Sequence, residues 1–345
     1  MKLALAVWLA AGLAEPASDP QAPLKTAGLL TDADLQQLGA GEVVAKVLDT
    51  SDRAEVASFA AVRVRASPAR FLACVRDVTC LRANEDLLQE GRFDASPSAH
   101  DLAGLSLDER DRDYLAHCEV GRCDVRLPAD AIEAFRTKVD WSAGRGAAVA
   151  AELFRTTLAG LAASYREQGN RGLVVYRDNP RPASVAASTA ELLQRQWWVL
   201  DGAPELLVYL RDFPEARLDG AEDFLYWYKE KFWRKTVVNL NHVIVYPKPE
   251  ASVYPKSETG ASRVYVATKQ LYSTHYYESG IEVLLFASDP GAASGTLLFL
   301  SRARADIRPS GFNWLERVII RRLVRGRLMN QFRVLRQRLE SAAQP

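Results

Sequence analysis

Four consecutive segments of strand-like sequence, followed by one long helical segment, constrain the fold of this chain more than any other feature. The four segments are rich in β-branched and aromatic residues, and they cover 236–246, 263–278, 281–288 and 296–304. Gly, Pro, Ser and Asp residues separate them, so each strand is expected to pair with the next in an antiparallel meander. A helical pattern then covers about 312–340. The C-terminal third therefore predicts an antiparallel sheet and one long helix.

The N-terminal part predicts a smaller set of elements with recognisable boundaries. Thr31 followed by Asp32 is typical of a helix start, and Ser67 followed by Pro68 supplies an N-cap and a first-turn proline. The polar stretch at 50–53 predicts a hairpin turn between two strands. The expected elements are a helix from Thr31, strands at 43–49, 55–66 and 86–93, and a helix from Pro68 to about Val75.

The middle of the chain changes to helical periodicity. The clearest case is 144–168, in which Phe154, Leu158 and Leu161 belong to an apolar series that recurs every three or four residues. A short strand is expected at 173–177. Helices are predicted at 106–117, 129–141, 144–168, 184–198, 203–211 and 220–232, the last with Phe224, Trp227, Tyr228 and Phe232 along one side.

This order of elements resembles that of the START-like, helix-grip superfamily. Residues 65–72, Arg-Ala-Ser-Pro-Ala-Arg-Phe-Leu, resemble its step from a strand into a helix begun by Ser-Pro. Residues 269–277, Lys-Gln-Leu-Tyr-Ser-Thr-His-Tyr-Tyr, are similar to a central strand that faces the cavity in bacterial members. The likeness covers about 31–95 and 235–340. It implies an α+β fold in which a curved antiparallel sheet wraps around a long C-terminal helix and encloses an apolar cavity.

The expected domain organisation follows from this resemblance and from the N-terminal sequence. Lys2 precedes an apolar run from Leu3 to Leu13, and small residues follow, which is typical of a secretory signal peptide cleaved near Ala14. A buried first helix is the alternative. We expect a signal peptide at 1–14, a disordered leader at 15–27, and a START-like domain at 28–345 with a helical insertion at about 100–232. The mature protein is then periplasmic or secreted.

The four cysteines fit an oxidising compartment, where disulfides persist. Gly121 lies between Cys118 and Cys123, and Cys74 lies six positions before Cys80, so we expect local pairing, although four cysteines allow three connectivities. A metal site built from His117, Cys118 and Cys123 is the alternative. It lacks a second Cys pair or a spaced His pair, so no metal is expected.

The candidate ligand contacts lie on two neighbouring strands and two helices. The strand at 263–278 has mixed polar and apolar side chains on both faces, which suits a cavity that orients a ligand through a few polar groups; a half-exposed strand is the alternative. Aromatic residues at helical spacing are more often core residues. The expected ligand-binding residues are Trp227, His242, Lys269, Leu271, His275, Tyr277, Leu315 and Ile319.

An enzyme of the same superfamily, such as a cyclase or hydrolase, is the first alternative. His242 could approach His275 or Lys269 if their strands pair, and Glu230 could act with it in general acid–base chemistry. A single His on a strand is more often structural. The chain contains no nucleophile elbow, zinc-protease motif, phosphate-binding loop or dinucleotide fingerprint.

The charge pattern indicates which classes of partner the protein is expected to bind. The chain carries 44 basic and 43 acidic residues, which argues against a dedicated nucleic-acid binder. The terminal helix carries many arginines beside an apolar stripe; they are either solvated or, through Arg317, Arg321 and Arg325, contact an anionic membrane transiently. Together the sequence predicts an exported binder or carrier of a lipid- or sterol-like molecule that needs no cofactor. A structural envelope protein is the second alternative.

Overall fold

The computed structural model describes residues 28–77, 80, 82, 86–142, 145–248, 262–305 and 314–341, and for 314–320 it describes the backbone only. Within these ranges the chain is an α+β protein with a large antiparallel sheet and eight helices, one of them at the C-terminal end. The expected signal peptide at 1–14 and leader at 15–27 lie outside the described residues. None of the described helices has the length and apolar character needed to span a membrane.

The N-terminal elements begin where the capping residues predict. Thr31 accepts a hydrogen bond from the backbone N–H of Asp34, and Ser67 accepts one from that of Arg70, so each side chain caps a helix start. These elements are α1 (Asp32–Gly39), β1 (Val44–Leu48), β2 (Glu55–Val64), α2 (Pro68–Arg76) and β3 (Leu87–Arg92).

The middle of the chain is helical apart from a two-stranded ribbon. The longest helix repeats its apolar residues at helical spacing and buries Phe154, Leu158 and Tyr165. The elements of this middle part are α3 (Glu109–Ala116), α4 (Ala129–Lys138), α5 (Gly146–Gln168), β4 (Val175–Tyr176), β5 (Ala183–Ser184), α6 (Val185–Leu193) and α7 (Pro204–Asp212). The longest of them is α5.

Five long strands and one helix complete the chain. Their bounds are β6 (Glu222–Phe232), β7 (Lys235–Lys248), β8 (Arg263–Ser273), β9 (Tyr277–Ser288), β10 (Gly295–Ala305) and α8 (Trp314–Ser341). Strands β6 to β10 pair in sequence order, so the predicted meander is present with one additional strand. The strand order of the sheet is β1-β2-β10-β9-β8-β7-β6-β3.

The segment at 220–232 was predicted to be a helix, and this prediction was wrong. It forms β6, which pairs along its whole length with β7 from Glu222–Val245 to Phe232–Lys235. Phe224, Tyr226 and Tyr228 alternate with Leu225 and Trp227, so a period of two describes the segment as well as a period of 3.6. The helical part between β3 and β6 therefore ends before β6.

The segment at 263–278 was predicted to be one strand, but the chain turns within it. Strand β8 ends at Ser273 and β9 begins at Tyr277, so His275 lies in the connection. Ser279 and Gly280, expected to form a turn, lie inside β9, where Gly280 pairs with Ala303. The alternation along β8 therefore stops at Ser273, and His275 does not share a strand face with Lys269.

Each face of the sheet packs against its own helical layer. On one face, Leu328, Phe332, Leu335 and Leu339 of α8 pack with Phe71 of α2 and with strand residues such as Val266 and Leu284. On the other face, the helices between β3 and β6 pack against Trp227, Leu240 and Ile244. The sheet is thus the middle of three layers, and each face offers a separate interior in which a site can form.

The two disulfides join neighbouring cysteines. Cys74 is bonded to Cys80 and Cys118 to Cys123, which are the local pairs that the sequence predicted. Bonded cysteines cannot act as thiolate ligands, so the alternative metal site has lost two of its three donors. Two disulfides in one chain indicate an oxidising compartment.

Candidate functional site

A cavity of about 180 Å³ lies between the sheet and α8. Strands β2 and β6 to β10 form its floor, and Val324, Arg327, Leu328 and Gln331 of α8 face it from above. Arg82, Asp86 and the aromatic residues Tyr228, Phe232 and Tyr277 complete its sides. The cavity therefore occupies the interface at which the sheet meets the C-terminal helix.

The floor of the cavity is polar across five neighbouring strands. Strand pairing places the polar residues side by side: Asn241 opposite Gln270, Thr268 opposite Glu282, and Ser301 opposite both Glu282 and Ser58. We refer to this row as the polar belt, which consists of Ser58, Asn241, Thr268, Gln270, Glu282 and Ser301. Farther along the same strands the residues are apolar, so the belt marks a change from packed core to cavity.

Two amide nitrogens of the polar belt lack hydrogen-bond partners among the described residues. Asn241 is 3% exposed, and its Nδ2 atom donates to no described residue. The same holds for Nε2 of Gln270, its cross-strand neighbour. A buried donor without an acceptor costs about 1–3 kcal/mol, which a bound acceptor would recover. Two adjacent donors beside a cavity are suited to a molecule that presents acceptor oxygens.

The cavity also contains charged side chains. The guanidinium of Arg82 lies 2.6 Å from Glu282 Oε2 and donates to the Tyr226 hydroxyl at 2.9 Å. Arg327 forms an ion pair with Asp86 at 2.5 Å. Burial raises the pKa of the Glu230 carboxyl, although Arg327 and Arg82 oppose the shift. Because both arginines are already paired, the cavity is not a strongly cationic site for an anion.

A narrow apolar pocket continues from the polar belt into the seam beneath α8. It measures about 20 Å³ and shares Thr268 and Glu282 with the cavity. Its apolar side is formed by Val266, Leu284, Phe299, Phe332 and Leu335. The site therefore has a polar chamber and an apolar extension, which matches an amphipathic molecule.

His242 lies on the opposite face of the sheet, in a closed polar cluster. Its Nδ1 atom lies 2.9 Å from the Tyr165 hydroxyl of α5, and its Nε2 atom lies 3.2 Å from Asp223 Oδ1. Burial lowers the pKa of His242 to about 4, so the ring is neutral at pH 7. Burial alone would raise the pKa of Asp223, but His242 and Arg166 hold it below its ordinary value.

Lys269 is the cross-strand partner of His242 and is equally buried. Its Nζ atom donates to Leu210 O at 2.7 Å and to Asn170 Oδ1 at 3.0 Å. Burial lowers the pKa of Lys269 to about 7. Such a perturbed pair is chemically suited to proton transfer. Both side chains are almost completely buried, however, so a substrate would reach them only if α5 or α7 moved.

His275 is not close to His242. Thr274 donates its backbone N–H to Val238 O. Val238 lies four residues before His242 on β7, so His275, which follows Thr274, lies at least that far along the strand from His242. At about 3.3 Å per residue the two histidines are separated by more than 10 Å. His275 contacts the ring of Tyr114, with 6.0 Å between centroids, and burial lowers its pKa to about 3. The structure brings Lys269, but not His275, to His242.

The remaining expected ligand residues are distributed over both faces. Tyr277 lines the cavity, whereas Leu271 packs on the other face, as does Trp227, whose indole N–H donates to Asp101 O at 2.8 Å. The side chains of Leu315 and Ile319 lie outside the described part of the chain. Glu230, expected to act with His242, lies on the cavity side of β6.

The arginines of α8 make contacts within the chain. Arg321 donates to Val47 O at 2.9 Å and lies 2.8 Å from Asp49 Oδ1. Arg325 donates to Ala45 O at 3.0 Å. The side chain of Arg317 lies outside the described residues. Strand β1 is an edge strand, and these guanidiniums bind its backbone carbonyls.

Sequence reasoning did not identify the polar belt, although a signal was present. Asn239 and Asn241 alternate on β7, and Thr268 and Gln270 alternate on β8, immediately after valines at the same phase. A polar pair that continues an alternating apolar series on one strand face marks the end of a packed seam. Whether these residues lie on the sheet face that packs against α8 or on the opposite face depends on the pairing of distant strands, which the sequence alone does not specify.

Within the described part of the chain, no group of three or more His, Cys, Asp or Glu side chains could hold a metal ion. Comparison with known proteins finds no matching family model and no matching curated protein. The chemistry of the cavity is therefore the basis for assigning a function.

Proposed function

We propose that this protein is an exported, periplasmic binder or carrier of a lipid- or sterol-like amphipathic molecule, held between the sheet and α8. The observation that carries the proposal is the pair of unpartnered amides on Asn241 and Gln270 at the floor of the cavity. A ligand carbonyl, ester or hydroxyl oxygen bound there would accept from both donors. The apolar remainder of the ligand would extend toward Val266 and Phe332.

The size of the cavity restricts how such a ligand binds. Ligand pockets usually enclose about 300–1,000 Å³, whereas this cavity encloses about 180 Å³. It accommodates a polar head group or a small molecule, so a longer apolar chain requires α8 to separate from the sheet along the Phe332–Leu284 seam. The gain is about 25 cal/mol for each Å² of apolar ligand surface removed from water.

The strand order supports membership of the START-like, helix-grip superfamily. Counted from the β3 edge, the order is β3-β6-β7-β8-β9-β10-β2, with β1 added beyond β2, and α2 and α8 pack on the same face. In that superfamily the ligand cavity lies between the sheet and the C-terminal helix. In this chain the cavity lined by the polar belt and Arg327 lies at the corresponding place. The helical layer on the opposite face is then an addition to the basic fold. The two disulfides support export to an oxidising compartment.

Native mass spectrometry of the purified protein, with extraction of any bound lipid, tests the proposal. Gly280 lies on the cavity floor, and a Cβ added there would meet Gln270 Oε1 at 3.3 Å and Ala303 Cβ at 3.7 Å. Gly280→Val should therefore fill the cavity and abolish ligand retention. Gly326→Val is the matched control, because a Cβ added at Gly326 meets nothing within 4 Å.

A second variant tests the role of the amide. Asn241→Leu keeps the side-chain size but removes the unpartnered donor, so the free energy of unfolding should rise by about 1 kcal/mol while ligand retention is lost. Loss of stability together with full retention of ligand would contradict the proposal. Equal ligand loss in the Gly326→Val control would show that the effect does not come from the cavity.

A further inference from the structure

The loop between β6 and β7 has an unusual sequence for a tight hairpin. Residues 231–235 read Lys-Phe-Trp-Arg-Lys, and Phe232 pairs with Lys235, so Trp233 and Arg234 form a two-residue loop. Two-residue hairpin loops normally have Gly, Asn or Asp where the backbone adopts a positive φ. Here Trp233 occupies that position with a φ of 52°.

A second strained aromatic residue lies beside the first. Tyr276, in the connection between β8 and β9, has a φ of 66°. Its ring centroid lies 6.1 Å from that of Trp233 and 5.4 Å from that of Phe232. Bulky side chains at positive φ are true outliers, and such strain persists mainly where function requires it. Two neighbouring turns at the same end of the sheet both accept this strain to present an aromatic ring.

The surface around these rings is exposed and basic. Trp233 is 47% exposed and is among the most exposed large apolar side chains of the described residues. Lys231 and Arg234 are also exposed, and the Arg234 guanidinium lies 5.2 Å from the Trp233 ring centroid. Arg110 of α3 donates to Arg234 O at 2.9 Å and adds a further positive charge. We refer to Lys231, Trp233, Arg234 and Tyr276 as the aromatic tip.

The aromatic tip adjoins the ligand cavity. Phe232 precedes Trp233 directly and lines the cavity, as does Tyr277, whose ring centroid lies 5.7 Å from that of Phe232. The guanidinium of Arg327 lies 4.6 Å above the Phe232 ring and closes this side of the cavity from α8. A surface that held the tip would therefore lie close to the wall of the site.

We propose that the aromatic tip docks the protein onto an anionic lipid surface and brings the cavity next to the membrane. This inference rests on the proposed carrier function. Trp and Tyr favour the boundary between lipid and water, where one part of the ring contacts apolar groups and the other contacts polar groups. Lys and Arg near the surface add attraction to anionic head groups. The tip combines both kinds of residue on two neighbouring turns at one end of the sheet.

Vesicle co-sedimentation tests the docking surface. The probes are vesicles of phosphatidylcholine alone and of phosphatidylcholine mixed with phosphatidylglycerol. The wild-type protein should bind the anionic vesicles and bind the neutral ones weakly. Trp233→Asn should weaken binding to anionic vesicles by roughly tenfold, as expected when a large apolar side chain no longer enters the interface. Arg234→Gln should weaken it by about fivefold on anionic vesicles only.

Thermal stability separates docking from a structural role. Asn tolerates a positive φ better than Trp, so Trp233→Asn should leave Tm unchanged or raise it while vesicle binding is lost. A fall in Tm would instead show that Trp233 stabilises the fold. Val149→Asn is the matched control, because Val149 is a similarly exposed apolar residue on α5, away from the tip; it should leave vesicle binding unchanged.

The two proposals fail in different ways. Gly280→Val should lose the ligand yet bind anionic vesicles like the wild type, and Trp233→Asn should retain its co-purified ligand. Wild-type protein that carries a ligand but binds no vesicles would overturn the docking inference alone. A dimer in solution that Trp233→Asn dissociates would also overturn it, because the tip would then bind a second copy of the chain.

Discussion

Lys269 on β8 is the direct cross-strand partner of His242 on β7, and both side chains are almost completely buried. Two basic groups placed side by side in a buried cluster cannot both carry a charge at low cost. Burial lowers the pKa of His242 to about 4 and that of Lys269 to about 7. The charged partner in this cluster is instead Asp223, whose ion pair is with Arg166. The cluster thus couples stability to pH on both sides of neutrality.

The buried lysine predicts that stability rises above pH 7. Lys269 has an ordinary pKa of 10.5 in the unfolded chain and about 7 in the fold, so between these values the unfolded state binds the extra proton. Raising the pH from 7 to about 9.5 should therefore stabilise the fold by up to about 1.4 kcal/mol per pH unit. Lys269→Met should remove this slope, and chemical denaturation at several pH values measures it.

The control for this prediction is a lysine in solvent. Lys231→Met changes an exposed side chain, so the slope between pH 7 and 9.5 should remain that of the wild type. A wild-type protein whose stability is flat across this range would show that Lys269 stays charged in the fold. The upper limit of 9.5 avoids the tyrosines, whose ordinary pKa of 10 is raised by burial, as for Tyr176.

The buried histidines predict that the free energy of unfolding falls on the acidic side of neutrality. The folded pKa values of His242 and His275, about 4 and about 3, are both below the ordinary 6.5. Stability is therefore complete above pH 6.5 and is lost as the pH falls toward 4. Between pH 6.5 and 5, each histidine should cost about 2 kcal/mol. His275→Gln should reduce this loss by about half, as measured by denaturant midpoints at pH 7.5 and 5.

The matched control is His117→Gln, which alters a side chain with 79% of its surface exposed. It should leave the difference between the two midpoints unchanged. If His275→Gln also leaves the difference unchanged, His275 is not the source of the acid sensitivity. The remaining carboxylates would then have to account for it.

Much of the fold could be predicted because its local signals agree with its tertiary contacts. Helix α5 buries the apolar series read from the sequence, and the caps at Thr31 and Ser67 begin their helices as expected. Strand β6 was misread as a helix because Phe224, Trp227 and Tyr228 satisfy helical spacing, while Phe224, Tyr226 and Tyr228 satisfy strand spacing equally well. Pairing with β7 decides between the two, and no local pattern contains that information.

The site was less predictable for a related reason. Both faces of β8 carry polar and apolar side chains, so the sequence alone did not indicate that Thr268 and Gln270, rather than Lys269 and Leu271, face α8. That choice depends on the pairing with β7, which contains an irregularity between Leu240 and Asn241. A single bulge reverses the assignment of faces along a strand.

The disulfides predict the absence of free thiols. Cys74–Cys80 and Cys118–Cys123 have sequence separations of 6 and 5. Thiol titration of unfolded, unreduced protein should detect none, whereas four free thiols would show that the bonds do not form in solution. Because each closed loop is short, reduction should cost less per bond than the roughly 3 kcal/mol expected for a 15-residue loop.

The contact between α8 and β1 predicts protection against self-association. Arg321 and Arg325 are four residues apart on the helix, a rise of about 6 Å, and they reach Val47 O and Ala45 O, two residues apart on the strand, about 6.8 Å. This match lets successive guanidiniums bind alternate carbonyls of β1, an edge strand that would otherwise be open to pairing with another chain.

Replacing both arginines by alanine should therefore change the free energy of unfolding by only about 1–2 kcal/mol, because the Arg321 side chain is half exposed. Light scattering of concentrated protein should nevertheless increase with time as uncovered β1 edges pair. Arg322→Ala is the control, because Arg322 is exposed on the same helix. If the Arg322→Ala variant scatters as strongly as the double variant, the effect comes from lost positive charge and not from an uncovered strand edge. Unchanged scattering from the double variant would mean that β1 needs no cover, and that Arg321 and Arg325 are free to serve another surface.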